Sequence, residues 1–149
     1  MGIYINKKHY QFLLHTLIPI ILYNQVWKEM DHVNRIKTDN RKCNLRPASK
    51  SSNQRNKSLR TDNLSGFKGV SWYKPTNKWV VKMRLDGKTY CLGYYFDLQY
   101  AARIYNTATF LVDPEFSYMN DVNPKFIEEK DWPPALVKFK YRITTVNKC

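Results

Sequence analysis

The chain has 149 residues, 43% of them hydrophobic and 15% aromatic, which excludes wholesale disorder and suits one ordinary domain or two very small ones. Its formal net charge is +13, and residues 1–60 hold 12 Lys and Arg against 3 Asp and Glu. Such a charge favours a polyanion, most simply nucleic acid, whose condensed counterions are released on binding; a basic face kept for solubility is the alternative.

The first apolar segment runs from Phe12 to Tyr23, after Lys7 and Lys8. We expect a buried core segment that breaks at Pro19, because proline lacks a backbone donor. The alternative is a targeting signal, although no small-residue cleavage site follows the segment. Its 12 residues are fewer than the roughly 20 that a membrane-spanning helix needs, so we expect no membrane partner.

A polar stretch, DHVNRIKTDNRKCNLRPASKSSNQRN, occupies residues 31–56. It predicts a loop that ends in a short strand, followed by a helix over KSSNQRNKS that Ser49 or Ser51 caps. TDNLSG, residues 61–66, is predicted to be a linker, because these residue types favour turns.

Residues 67–96 show the alternation of a β-sheet. GFKGVSWY and WVVKMRL predict two strands around a KPTNK turn, and DG at 86–87 predicts a hairpin to a third strand, KTYCLGYYF. One face of the second strand is apolar, with Trp79, Val81, Met83 and Leu85, whereas the other presents Val80, Lys82 and Arg84.

Asp97 is predicted to cap a helix through LQYAARIYNTATFL, whose stripe of Ala101, Ala102, Tyr105 and Ala108 would pack closely on the sheet. In the tail, residues 121–149, the latter half of DWPPALVKFKYRITTV predicts one more strand. No chemistry is assigned to this tail.

The cysteines are Cys43, Cys91 and Cys149, scattered and without a C-x-x-C pair. They indicate neither a disulfide framework nor a zinc site, which favours a reducing compartment. We therefore expect an intracellular protein, in the cytoplasm or nucleus where its target is, and not a secreted one.

The sequence from Gly66 to Asn120 resembles the APETALA/ethylene-response-factor DNA-binding domain. The matching points, in the family's order, are Gly69-Val70, Trp79, Leu92-Gly93, Ala101-Ala102, Tyr105 and Asn120. The resemblance implies a three-stranded sheet with a helix packed behind it and one sheet face in the major groove of double-stranded DNA. By position, the DNA-facing candidates are Lys68, Ser71, Tyr73, Lys82, Arg84, Thr89 and Cys91. Ser71, Tyr73, Thr89 and Cys91 stand where the plant factors often carry large readers, so the plant target sequence is not implied.

The polar stretch is similar to the core of HNH nucleases, a strand, loop, strand and helix around one metal ion. The matching residues are the Asp31-His32 pair, Asn44 before Leu-Arg, and Asn53 on the helix, at the family's spacing. In combination with the downstream module, they resemble small homing endonucleases of the HNH class found in phages, large DNA viruses and organelles.

The nuclease resemblance implies distinct roles for these residues. His32 is the expected base, since histidine can accept a proton at neutral pH. Asp31 and Asn53 are the expected ligands of Mg²⁺ or another hard divalent cation, and Asn44 is expected to orient the imidazole. Candidate phosphate clamps are Arg41, Arg46, Lys50, Arg55 and Lys57.

Each of these residues also has a simpler interpretation. The asparagines Asn40, Asn44 and Asn53 could be turn or cap residues, and His32 a solvated histidine. Upstream, Thr16 stands where the family usually has arginine, and Pro19 interrupts what should be a regular element. The alternatives are therefore a DNA-binding protein with a relic nuclease core, or a nucleic-acid chaperone that relies on charge.

The sequence thus predicts an α+β fold with a small ββα-metal nuclease core followed by a three-stranded antiparallel sheet packed on one α-helix. The expected domains are a nuclease core in residues 1–60 with a degraded N-terminal segment, a linker in 61–66, a DNA-binding domain in 67–120, and a tail of unknown role. The expected protein is a monomer that takes DNA and no small-molecule substrate.

Overall fold

A computed structural model describes residues 2–5, 8–11, 14–24 and 26–146. The chain is a mixed α+β protein that divides into two compact units, Met1–Asn56 and Lys57–Cys149. Among the helices in these described ranges, none is both long and apolar enough to cross a membrane.

The first unit contains two small antiparallel sheets and two helices. In chain order these are β1 (Gly2–Ile5), β2 (Lys8–Gln11), α1 (Leu14–Tyr23), β3 (Met30–His32), β4 (Leu45–Pro47) and α2 (Lys50–Asn56). β1 pairs with β2, and β3 pairs with β4, so that Asp31 lies opposite Arg46. α2 packs against β3.

Two local predictions for this unit have different outcomes. The break at Pro19 is wrong, because Pro19 lies buried inside α1; a missing N–H removes one helical bond without ending this helix. Burial of the apolar segment is partial, since Ile21 is 75% exposed. The cap of α2 is confirmed at Ser49, whose Oγ accepts a hydrogen bond of 3.0 Å from the backbone N–H of Ser52.

The second unit is built on the three predicted strands, β5 (Val70–Tyr73), β6 (Lys78–Leu85) and β7 (Lys88–Tyr95), paired antiparallel in that order. Asp86 and Gly87 connect β6 to β7 with φ of 48° and 81°. Left-handed conformations at both positions match the twist of a two-residue hairpin, which confirms the DG turn.

The helix α3 (Leu98–Val112) packs on one face of this sheet, as predicted. Asp97 caps it by accepting a hydrogen bond from the backbone N–H of Tyr100. Ala101, Ala102 and Ala108 are fully buried, so the small-residue stripe does allow the helix to approach closely. Gly69 is equally close to α3: a Cβ there would lie 2.0 Å from the Tyr105 ring.

The strand predicted in the tail is wrong: this segment forms the helix α4 (Pro134–Val146). Leu136 and Phe139 are buried in the core of the second unit, and Ile143 packs against it. Their spacing of three and four residues is helical, and it outweighs the β-branched residues that suggested a strand. The tail is therefore part of the second unit, packed on α3 and β7.

Two buried asparagines connect distant segments of this unit through hydrogen bonds. Asn120 accepts a hydrogen bond from the backbone N–H of Lys68 at 2.7 Å and donates to its carbonyl at 3.1 Å. Asn106, on α3, accepts from the backbone N–H of Asn120 and donates to the carbonyls of Asn120 and Lys125. The resemblance point Asn120 thus joins the start of the sheet to the segment after α3.

Residues 61–66, the predicted linker, form hydrogen-bonded turns within the second unit. Asn63 donates to the carbonyl of Phe67, and the Ser65 hydroxyl lies within hydrogen-bond distance of the carbonyls of Phe67 and Val70. The division between the units falls earlier, between Asn56 and Lys57.

Candidate nuclease centre and nucleic-acid interface

Asp31 is the centre of a buried polar cluster in the first unit. Its carboxylate is 5% exposed and accepts hydrogen bonds from Arg46, at 2.8 Å from Nη2 and 3.0 Å from Nε. Asn56, on α2, donates to the same oxygen at 2.8 Å. Because Asp31 and Arg46 lie opposite each other on β3 and β4, the strand register itself forms this ion pair.

His32 ends β3, and its Nε2 lies 3.2 Å from Oδ1 of Asn40. The tautomer of the ring decides which atom donates in this contact. The sequence had suggested only a turn role for Asn40.

Asn44 is buried and organises the loop between β3 and β4. Its Oδ1 accepts from the backbone N–H of Asn34 at 2.8 Å, and its Nδ2 donates to the carbonyl of Asp39 at 2.7 Å. The prediction that Asn44 orients the imidazole is therefore corrected: Asn40 contacts Nε2 of the ring, while Asn44 fixes the loop that carries Asn40.

Asn53 lies on α2 and donates from Nδ2 to the carbonyl of Met30 at 2.9 Å. This bond attaches the Asn53 amide to the strand that carries Asp31 and His32. Within the described ranges, no donor binds the Asn53 Oδ1. An orienting bond on the nitrogen leaves an amide oxygen for a ligand.

The Asp31 carboxylate and the Asn53 amide offer oxygen atoms to a hard cation, but they are only two side chains. Carboxylate and amide oxygens suit Mg²⁺, which takes one or two protein ligands and completes its shell with phosphate and water. In the described part of the chain, no group of three His, Cys, Asp or Glu side chains converges on one point. Asp31 and Asn53 are the predicted ligands of such a cation, and Arg46 already occupies the Asp31 carboxylate.

Two of the predicted phosphate clamps are wrong. Arg55 is 8% exposed, and its guanidinium donates to the hydroxyls of Ser51 and Ser52 at 2.9 and 3.0 Å. The Arg46 guanidinium forms an ion pair with the Asp31 carboxylate. Asp31 compensates the charge of Arg46, whereas Arg55 is buried against neutral serine hydroxyls, so neither guanidinium is an exposed donor for phosphate.

The other clamp candidates are exposed. Lys50 and Lys57 are both at the surface. Arg41 is exposed as well but forms a fork with Asp39, at 2.8 Å from Nε and 2.7 Å from Nη2. The hydrogen bond with Arg41 holds the pKa of the Asp39 carboxyl well below its usual range.

In the second unit, the outer face is the sheet face that does not contact α3. Six predicted DNA-facing residues lie on it, and all are exposed: Ser71, Tyr73, Lys82, Arg84, Thr89 and Cys91. Lys82 lies opposite Cys91, and Arg84 lies opposite Thr89. Lys68 precedes β5; its ammonium donates to the carbonyl of Lys57 and lies 5.1 Å from the centre of the Tyr118 ring.

Sequence reasoning missed one aromatic residue of the outer face, Tyr94. It is 44% exposed, and its ring centre lies 5.2 Å from that of Tyr73. Strict alternation from Thr89 places Tyr95 on this face, but the pairing shifts by one residue between Val81 and Lys82. The bulge turns Tyr94 outward and Tyr95 towards the core.

The chemistry of the outer face is mixed. It carries two cations, two hydroxyl side chains, the Tyr73 and Tyr94 pair, and Val80, which is 3% exposed. Cys91 raises the pKa of the Tyr94 hydroxyl, through charge repulsion first and a side-chain hydrogen bond second. The face thus offers donors at neutral pH and apolar contacts together.

A comparison of the chain with protein-family models, with curated proteins and with solved structures finds no match. The function is therefore argued from the two sites themselves, the polar cluster around Asp31 and the outer face of the sheet.

Proposed function

We propose that this protein is a Mg²⁺-dependent DNA endonuclease of the HNH homing type, which hydrolyses phosphodiester bonds in DNA bound by the second unit. One observation carries the proposal: the hydrogen bond from Asn53 to Met30 attaches the helix α2 to the strand of Asp31 and His32. A hairpin followed by a packed helix supports the proposal, because α2 carries Asn53 against the strand that carries Asp31 and His32.

The residues have separate tasks in this reaction. His32 accepts a proton from the attacking water, while Asn40 contacts its Nε2 and orients the ring. Asp31 and Asn53 would hold the cation, which would supply stabilisation of negative charge on the phosphoryl oxygens. Asn56 and Arg46 fix the Asp31 carboxylate, and Asn44 keeps the loop of Asn40 in shape.

The outer face supplies binding to double-stranded DNA. Lys82 and Arg84 provide exposed cationic donors, and Ser71 and Thr89 provide hydroxyls that can face bases or phosphates. Two weak binding units on one chain bind more tightly than either alone, by about 10² to 10⁴ when both reach the duplex. A monomer acting on DNA inside a cell suffices for this activity.

The test is nicking of supercoiled plasmid by the full chain with Mg²⁺. We expect nicking by the wild type, loss of nicking in His32→Ala and after chelation of the metal, and unchanged DNA binding in both cases. His9→Ala, a histidine on β2, is the matched control and should nick normally. Persistent nicking by His32→Ala would overturn the role of His32 as base.

A second candidate function is DNA binding without catalysis. The buried ion pair favours it, because Arg46 already compensates the charge that Asp31 would offer to a cation. In that case the wild type binds DNA and selects a sequence but does not nick with Mg²⁺ or Mn²⁺. A charge-based chaperone, in contrast, binds nucleic acid without selecting any sequence.

A further inference from the structure

A groove runs between β7 and α4 in the second unit. It consists of two adjoining cavities of about 600 and 480 Å³, which share Thr89, Tyr90 and Arg142 in their walls. The first cavity extends to Lys88 and Thr145, and the second extends along α4 to Lys138. We call the two together the α4 groove.

The walls of the α4 groove carry three cations, Lys88, Lys138 and Arg142, and no acidic residue. All three side chains are exposed. Lys138 and Arg142 are four residues apart on α4 and so project from the same side of the helix. The described ion pairs of this unit involve other cations, at Arg60, Lys130 and Lys140. Among the residues that the structure describes, the groove therefore has an excess of positive charge.

The α4 groove is continuous with the outer face. Thr89 and Cys91 line the groove and also belong to the outer face, where they lie opposite Arg84 and Lys82 on the neighbouring strand. Cations on β6 and on α4 thus lie on both sides of the neutral residues Thr89 and Cys91. A polyanion that lies on the outer face reaches the groove at the edge of the sheet.

We propose that the α4 groove binds the sugar–phosphate backbone of the DNA that the outer face contacts. The inference rests on the proposed DNA binding and extends it to a helix outside the predicted DNA-binding domain. Lys138 and Arg142 neutralise phosphates, Lys88 does so at the hairpin end, and the hydroxyls of Thr89 and Thr145 are additional donors. Contacts of this kind position the duplex and do not depend on its sequence.

The experiment measures DNA affinity of the full chain as a function of salt concentration, for the wild type and for Lys138→Gln/Arg142→Gln. Each neutralised phosphate contributes about 0.9 to the slope of log K against log salt, so the double variant should lower the slope by about 2. The sequence chosen from a random pool should stay the same. Arg84→Gln, on the outer face, should change that sequence.

The matched control is Lys125→Gln/Lys140→Gln, which removes the same charge elsewhere in the unit. Lys140 lies on α4 between the two test residues but binds Glu129 at 2.6 Å and lies over the Trp132 ring. The slope of log K against log salt for this control variant should stay near that of the wild type. Circular dichroism of all variants verifies that the fold is kept, since every substituted side chain is at the surface or partly exposed.

The possible outcomes separate the two proposals. If the wild type binds no DNA, the proposed function fails together with this inference. If the wild type binds DNA and the Lys138→Gln/Arg142→Gln variant matches its control, the α4 groove serves another ligand, such as an acidic peptide, and only this inference is overturned.

Discussion

At the scale of residues, the first unit contains two Arg–Asp pairs of similar length and different surroundings. In the first pair, Nη2 of Arg46 lies 2.8 Å from Oδ2 of Asp31, and the two side chains are 18% and 6% exposed. In the second pair, Nη2 of Arg41 lies 2.7 Å from Oδ2 of Asp39, and the two side chains are 75% and 13% exposed. Solvent-exposed pairs contribute little to stability, but removing one partner of a buried pair leaves an uncompensated charge. The two pairs therefore provide an internal comparison.

Substituting Arg46→Ala should destabilise the first unit by about 3 kcal/mol, because Asp31 would stay buried with only Asn56 as a neutral donor. Arg41→Ala is the control and should cost less than about 1 kcal/mol. Amide hydrogen exchange of β3 and β4 gives the free energy of opening for each variant. An equal decrease in the free energy of opening in the two variants would show that burial of the Asp31–Arg46 pair does not affect stability.

The residue roles could be predicted from the sequence only in part. The resemblance to HNH nucleases, through residue identity and spacing, proposed Asp31, His32 and Asn53. The partner of His32 depends on the path of the loop, which spacing does not contain, so Asn40 was missed. Arg55 was predicted to face solvent because charge gives no information on burial. Its two serine partners lie three and four residues before it on α2, and that helical spacing was the available signal.

At the scale of elements, alternation and turn chemistry were sufficient for β5, β6, β7 and α3, because local residue preference and burial agree in these segments. α4 was missed because its Ile and Thr residues favour strands, whereas its burial depends on contacts with distant parts of the chain. The bulge in β7 was missed for a related reason. A single extra residue leaves no mark in the amino-acid pattern, yet it decides which of two tyrosines faces outward.

Phe139→Ala tests how much α4 contributes to the second unit. Phe139 is 2% exposed and packs edge-on against Tyr90, with 5.2 Å between the ring centres. We therefore expect the substitution to lower the free energy of unfolding by about 3–5 kcal/mol. Tyr141→Ala, on the same helix, removes a side chain that is 69% exposed and should change stability little. Urea unfolding followed by tryptophan fluorescence measures both. Similar midpoints for the two variants would mean that α4 is not part of the folded core.

At the scale of the whole molecule, the positive charge is shared by the two units. Residues 1–56 hold 10 Lys and Arg against 3 Asp and Glu, and residues 57–149 hold 15 against 9. The net charges of the units are therefore +7 and +6, although the second unit is much larger. Both units can contribute to binding a polyanion, the first through charge density and the second through an organised face.

A fragment of residues 57–149 should fold cooperatively and bind DNA without nicking it. Its core, from Val70 to Phe139, lies entirely within these residues. Its affinity should depend less on salt than that of the full chain, because the first unit's cations are gone. Circular dichroism and binding titrations verify these points. A fragment without a thermal transition would show that the second unit needs residues 1–56 to fold.

The position of α4 has a consequence for the order in which the protein is made. The sheet and α3 leave the ribosome before Leu136 and Phe139, which complete their core. Until those two residues emerge, the apolar surface around Leu92 and Tyr90 has no cover, and nascent chains with uncovered apolar surface are prone to aggregate. The first unit, whose residues precede this interval, can already be folded. The second unit therefore covers this apolar surface only after Leu136 and Phe139 have left the ribosome.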